Sequence, residues 1–397
     1  MKFRLLAISL GLLAVAIMPF RSAAQEPNSQ PRYTVVDLGP LGGTYSQSFY
    51  VNSKGVVSGQ ASLPDGDWHA ILWQGAAKRD LGTLGGPDST AYSGPNATGQ
   101  VVGIAETTAV DPNGEDFCGF AANGLPSSGT CLGSLWQYGS ITPLTTLGGY
   151  NSAANAINNY GLIAGTAETP TPDTACPAPQ VLHFEPVVWK NGKIKQLPTY
   201  GGDPDGVAVA INDHGQVAGI SGDCSTFNVT NSYNLLPVHA LLWDDGKVTN
   251  LGSLGGAFGS QAHGINNRGQ VVGASDLAGD AVFHGFVWSP STGMQDVPPL
   301  PGDTYSYALA INDTGEVTGL SIDPSFTILR AFELVNGVPT DLNTLVPPNS
   351  PLQLLTACSI NSHGEITGFA QEKSTGDYHG YLLKPVGSGS AASVVQK

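Results

Sequence analysis

Apolar residues along this chain gather into short runs separated by turns rich in Gly, Asn and Asp, and the same runs return in a fixed order. One signal is Asn-x-x-Gly-x-x-x-Gly, whose Asn is Asn52, Asn96, Asn158, Asn212, Asn266, Asn312 and Asn361. The Gly three residues on is present each time (Gly55, Gly99, Gly161, Gly215, Gly269, Gly315, Gly364). So is the later one (Gly59, Gly103, Gly165, Gly219, Gly273, Gly319, Gly368), and five residues after every Asn stands Val or Ile. An Asn side chain can bond backbone two residues on, and Gly takes the left-handed conformation that closes a tight hairpin. Asn-x-x-Gly therefore joins a strand a, just before it, to a strand b. Two and four residues before the Asn the side chains are small, as in Ala154 and Ala156, Ala208 and Ala210, or Ala308 and Ala310. Period two places them on one face, where a neighbouring sheet can approach closely.

A second run, strand c, is the His-Ala-Ile-Leu-Trp type at His69 to Trp73. Its counterparts are Leu132 to Trp136, Glu185 to Trp189, His239 to Trp243, His284 to Trp288, Arg330 to Leu334 and His379 to Leu383. The third, strand d, is Asp-Leu-Gly-x-Leu-Gly-Gly at Asp37 to Gly43 and Asp80 to Gly86, degraded at Asp341 to Leu345. The chain opens with a lone strand d, Tyr33 to Gly39, and ends near Pro385 with a, b and c but no d. An open solenoid has no reason to begin with the piece its end lacks; a ring does. The pattern predicts an all-β fold: a seven-bladed β-propeller of four-stranded antiparallel blades, closed by the N-terminal strand completing the last blade. A β-solenoid is the alternative. The predicted organisation is a signal peptide over 1–24, a short linker over 25–32, the propeller over 33–386 and a flexible tail over 387–397.

The three motifs, recurring in register from about residue 33 to 384, resemble the HAF repeat family of probable extracellular repeat proteins. The resemblance rests on His69-Ala70-Ile71 and its counterparts, on Ile-Asn-x-x-Gly-x-Val-x-Gly, and on Asp-Leu-Gly-x-Leu-Gly-Gly. It implies an exported repeat protein and supplies no catalytic residues. The chain departs from the pattern at Pro95, in place of Ile, and at Arg330 to Leu334, which lacks the His and Trp.

Lys2 and Arg4, the apolar stretch Leu5 to Met18 and Ser22-Ala23-Ala24 read as a secretory signal cleaved after Ala24. That stretch is shorter than the ~20 residues of a spanning helix, so no membrane insertion is expected. The formal charge is −15. No basic patch for nucleic acid is visible. An exported chain can form disulfides; Cys118 with Cys131 and Cys176 with Cys224 are the expected pairs, leaving Cys358 inside a strand.

Residues that recur in every repeat serve the repeat, so the His that open strand c (His69, His239, His284, His379) and the strand-c Trp residues read as structural. Length varies mainly in the b–c loops, which are long at 104–131, 166–182 and 220–238. In an up-and-down meander those loops share one rim with the d–a loops, and a rim of loops on a rigid scaffold is where binding is expected. Its aromatic residues Tyr45, Trp68, Tyr150, Phe258 and Tyr305 are the candidate ligand contacts. Acidic residues there (Asp65 and Asp67, Asp203 and Asp205, Glu115 and Asp116) offer Ca²⁺ ligand chemistry without the twelve-residue loop and its terminal Glu. No metal or other cofactor is therefore expected. His263 is the one ionisable residue in its strand-a column, beside Phe49, Ser93, Asn155, Val209, Leu309 and Cys358, and reads as a core His. The expected function is a secreted, monomeric, non-catalytic scaffold that binds an extracellular glycan or protein. The alternative is a polysaccharide hydrolase or lyase with rim carboxylates as acid and base.

Overall fold

The computed structural model describes residues 31–120, 129–224 and 238–387. The signal-like segment, the centres of two b–c loops and the tail from 388 lie outside the described residues.

The fold is all-β, built of small antiparallel sheets. Repeat 4 shows the plan: strands Asp205–Ile211, Val217–Gly222, Val238–Asp244 and Lys247–Asn250 pair in the order a–b–c–d. Its turn is built as the Asn chemistry requires. Asn212 Oδ1 accepts the backbone N–H of His214 and of Gln216, both at 3.0 Å. The other repeat Asn residues do the same for the residues two and four ahead. The Gly three residues on has φ between +69° and +92° in every copy, a region that costs other residues strain.

The later Gly has a different cause. Strand a carries a β-bulge, where the register slips by one residue around Phe49, Asn155, Val209, His263 and Leu309. In repeat 2 the slip comes one residue earlier, around Tyr92. The bulge turns a strand-a carbonyl toward strand b. A Cβ on Gly59, Gly103, Gly165, Gly219, Gly273, Gly319 or Gly368 would overlap that oxygen, on Gln47, Thr90, Ala153, Val207, Gln261, Tyr307 and Thr356 respectively. The period-two face expected for strand a thus stops at the bulge.

The core lies between the sheets of neighbouring repeats. Trp243 packs with Val217 and Leu241 of its own repeat, and with Ala164 and Leu197 of the one before. Its Nε1–H donates to Pro198 O at 2.7 Å, and Trp189 and Trp73 do likewise to Thr145 O and Gly39 O. Ser46, Ser89, Ser152, Ser260 and Ser306, at the start of strand a, each accept a strand-c N–H from the preceding repeat, at 2.9–3.3 Å.

At the ends, Tyr33–Asp37 pairs antiparallel with Tyr378–Pro385, Tyr33 opposite Pro385 and Asp37 opposite Tyr381. The Asn Nδ2 groups form a chain of their own. Asn96, Asn158, Asn212, Asn266 and Asn312 each donate to the carbonyl of the next repeat's Asn, at 2.9–3.2 Å. Asn361 donates to Asn52 O, and Asn52 to Pro95 O.

Two details depart from the sequence reading. Cys358 is not inside a strand, because strand a of repeat 7 is split into Leu352–Leu354 and Ser359–Ile360. The split follows from Ala357 N bonding Gly319 O in the preceding repeat instead of its own ladder. Arg32, assigned to the linker, is tied down, with Nη1 2.6 Å from Glu333 Oε1 and its N–H on Leu345 O.

Gly219→Ala should lower unfolding stability by more than about 3 kcal/mol, since backbone must move to admit the methyl. Gly246→Ala, at φ +78° in open space, should cost about 1 kcal/mol. Urea melts of the two variants check the contrast.

Candidate functional site

The rim carries aromatic side chains, but they form separate clusters, not one ring. In repeat 1, Tyr45 from the d–a loop stacks on Trp68 at the start of strand c, with centroids 4.4 Å apart and planes 7° apart. Tyr45 Oη donates to Gln47 Oε1 at 2.8 Å, which holds the ring in place. The other cluster joins repeats 5 and 6. Tyr305 lies 4.8 Å from Phe283 and 4.4 Å from Phe326. Tyr150 is exposed, and the Phe258 side chain lies outside the described residues.

Phe326 carries no sequence signal, because its loop is short and outside the repeat motifs. It is 55% exposed and sits at φ +58°, a strained conformation for a bulky residue. Asp323 enforces it. Its carboxylate accepts the N–H of Ser325 at 3.1 Å, of Thr327 at 2.7 Å and of Ile328 at 2.6 Å, together with the Ser325 hydroxyl. Those bonds, the Ser325 hydroxyl first, hold the Asp323 carboxyl well below the usual carboxylate range. The ring is presented by a rigid loop.

The described parts of the long loops are occupied internally. Cys118 is bonded to Cys131 and Cys176 to Cys224, with Cα atoms 5.8 and 5.0 Å apart, as the sequence suggested. Phe117, Phe120 and Cys224 from these loops pack on Ile104, Phe184, Tyr92 and Val209. Their acids face protein donors. Glu115 Oε1 accepts Val181 N, Leu182 N and Gln180 Nε2, and Gln180 Nε2 also reaches Glu168 Oε1 at 3.0 Å. Burial first, then the Glu115 charge, push Glu168 up to about 7 against the N–H groups of Gln180, Asn151 and Tyr150. Asp203 takes His239 and Ser221, and Asp205 takes Phe184 N, Cys224 N and His183. Donor atoms of Asp173, Cys176, Asp205 and Cys224 lie within 4.8 Å of one another. The two sulfurs are bonded to each other, so neither is a thiolate ligand. Asp65 and Asp67 form a turn, Asp67 N facing Asp65 Oδ1 at 3.4 Å.

The His that open strand c sit on separate carboxylates: His69 on Asp80, His284 on Asp296, His379 on Asp37 and His239 on Asp203, at 2.8–3.0 Å. Arg330, which stands where these repeats have His, pairs with Asp303. They serve as structural links.

No protein-family model matches this chain, and no curated protein matches it. Among solved structures it is similar to the acylaminoacyl peptidase of Pyrococcus horikoshii, with 9% identity and a TM-score of 0.47 over 85% of this chain and 50% of that one. The chain thus spans half the length of that peptidase. It is also similar to virginiamycin B lyase from Staphylococcus aureus, with 11% identity and a TM-score of 0.44 over 89% of this chain and 99% of that one. A mutant of AofleA from Arthrobotrys oligospora matches with 11% identity and a TM-score of 0.37, over 80% of this chain and 90% of that one. No functional residue is carried over from any of them.

One rim carboxylate is linked to an aromatic pair. Asp88 Oδ1 accepts Trp68 N at 2.7 Å, while Oδ2 is buried without a hydrogen-bond donor. Burial first, opposed by the Trp68 N–H and reinforced by the Glu106 charge, pushes Asp88 up to about 6. A folded-state value above the unfolded one stabilises in acid and loses that stabilisation as pH rises through 6. Asp88→Asn should therefore gain about 3 kcal/mol over wild type at pH 8 and well under about 1 kcal/mol at pH 4. Denaturant melts at the two pH values check it.

Proposed function

We propose that this protein is an exported, closed seven-bladed β-propeller that recognises a glycan through the aromatic clusters of its loop-rich rim. Closure is supported by the pairing of Tyr33–Asp37 with Tyr378–Pro385 and by the Asn361 to Asn52 hydrogen bond. Export is supported by the two disulfides, which persist in oxidising compartments. Among the described residues no helix is long and apolar enough to cross a membrane. Membership of the HAF repeat family belongs to the same proposal, on its three motifs.

The observation that carries the glycan reading is Phe326: an exposed ring, strained backbone, and a loop held by one carboxylate against rings behind it. Pre-ordering an exposed aromatic removes the entropy cost of fixing it on binding. A flat ring beside polar groups suits the apolar face of a sugar. The charge of −15 favours neutral over anionic polymers. The hydrolase or lyase reading is less favoured, because Glu115 and Glu168 are engaged by protein N–H groups.

On a glycan array, the purified protein should bind a subset of neutral glycans. Phe326→Ala and Trp68→Ala should each weaken that binding about tenfold while the far-UV circular dichroism stays that of wild type. Binding to anionic glycans alone, or to none, overturns the reading. Deleting residues 31–38 should lower the unfolding midpoint sharply, since it exposes the edge of Tyr378–Pro385; an unchanged midpoint would count against closure.

A further inference from the structure

The loops of repeats 3 and 4 are joined by Cys176–Cys224, and two acids and a His gather at the same place. Asp173 follows strand Ile163–Pro172, with Cys176 three residues on. Asp205 opens strand Asp205–Ile211, and Cys224 follows strand Val217–Gly222. Donor atoms of Asp173, Cys176, Asp205 and Cys224 all lie within 4.8 Å of one another. Four donors placed ~2.0–2.3 Å from a Zn²⁺ ion stand about 3.3–3.8 Å apart, so little movement separates the two arrangements. Asp-x-x-Cys also has the two-residue gap by which one turn supplies a pair of ligands.

One carboxylate lacks what its burial demands. The Asp173 side chain is 6% exposed, and that of Asp205 is fully buried. His183 Nδ1 lies 3.2 Å from both Asp173 Oδ2 and Asp205 Oδ1. A ring nitrogen carries at most one hydrogen, and this one is spent on Asp205. Asp173 Oδ2 is left buried with no hydrogen bond. A buried carboxylate oxygen without a donor is costly, and a bound cation offsets that cost. The other oxygens are oriented by backbone: Asp173 Oδ1 accepts Ala175 N at 2.7 Å, and Asp205 Oδ2 accepts Cys224 N at 3.2 Å. Outer bonds of this kind fix the ligands of metal sites. Phe117, Phe120 and Phe184 share an apolar cluster with the two cysteines.

We propose that Cys176 and Cys224, when reduced, hold one Zn²⁺ together with Asp173 and Asp205, so that the metal replaces the disulfide as the link between these loops. A dithiol reductant supplies two electrons and two protons, the S–S bond breaks, and the reductant becomes a disulfide. Zn²⁺ then takes both sulfurs as thiolates, and the two protons leave to solvent. A disulfide oxidant reverses the exchange: it takes two electrons from the thiolates and two protons from solvent, the S–S bond re-forms, and Zn²⁺ is released. Two thiolates with two carboxylates select Zn²⁺ over Ca²⁺ or Mg²⁺, which take oxygen ligands. This site is separate from the aromatic clusters of the rim and does not depend on the glycan reading.

The test uses the full chain, reduced with dithiothreitol, desalted without oxygen and titrated with Co²⁺ and then Zn²⁺. One Co²⁺ per chain should give a thiolate-to-cobalt charge-transfer band that equimolar Zn²⁺ abolishes, and the oxidised chain should give none. The Cys118→Ser, Cys131→Ser variant should keep the band. The Cys176→Ser, Cys224→Ser variant, which retains Cys358, should lose it. Asp173→Asn, which keeps an acceptor for Ala175 N, should lose at least about tenfold in Zn²⁺ affinity while its disulfides re-form in air as in wild type. No band in the reduced wild type, a band that survives in Cys176→Ser, Cys224→Ser, or undiminished Zn²⁺ affinity in Asp173→Asn overturns the proposal. So does a reduced chain that loses its β-sheet circular dichroism and does not regain it with Zn²⁺.

Discussion

The structure depends on one side-chain amide used at both ends. The oxygen of each repeat Asn closes its own a–b turn, and the nitrogen bonds the backbone of the next repeat. Local geometry and inter-repeat geometry are therefore set by the same group. Each such bond contributes roughly 1 kcal/mol net, but losing one leaves a buried carbonyl without its donor, which costs more. The same amide explains why no other residue type serves at these positions: Asp lacks the donor, and Ser is too short to reach both partners.

The bulge in strand a is the second constraint, and it separates what must stay constant from what can change. Its carbonyl leaves no room for a Cβ on strand b, so that Gly is invariant through the repeats. The bulged residue itself lines a cavity shared by the repeats and is free to vary, from Phe49 through Val209 and His263 to Leu309. A rigid, repeated frame thus carries a cavity whose lining is different on every side. Chemical asymmetry arises without any change in backbone.

The long insertions behave differently from what length alone implied. Their described parts are stapled by disulfides and direct Phe117, Phe120 and the Glu115 carboxylate inward. A long loop on a surface must satisfy its own backbone, and Val181 N and Leu182 N do so on Glu115 Oε1. The exposed, pre-ordered aromatic is carried instead by the short segment after Asp323, where one carboxylate collects three backbone N–H groups.

Much was legible in the sequence because it rests on residues close together or repeated in register. The turn chemistry of Asn212 and Gly215, the a–b–c–d order, the pairing of Cys118 with Cys131, and the structural role of His69 and Trp243 belong there. The bulge did not, since period-two reading assumes an unbroken ladder, and the column holding His263 was visible without its direction. The contacts of Tyr305 with Phe326 and of Asp88 with Trp68 join different loops, and residue type alone does not say which will meet. Only the tertiary structure decides such things, because they depend on where a carbonyl points and on how far one sheet is turned against the next.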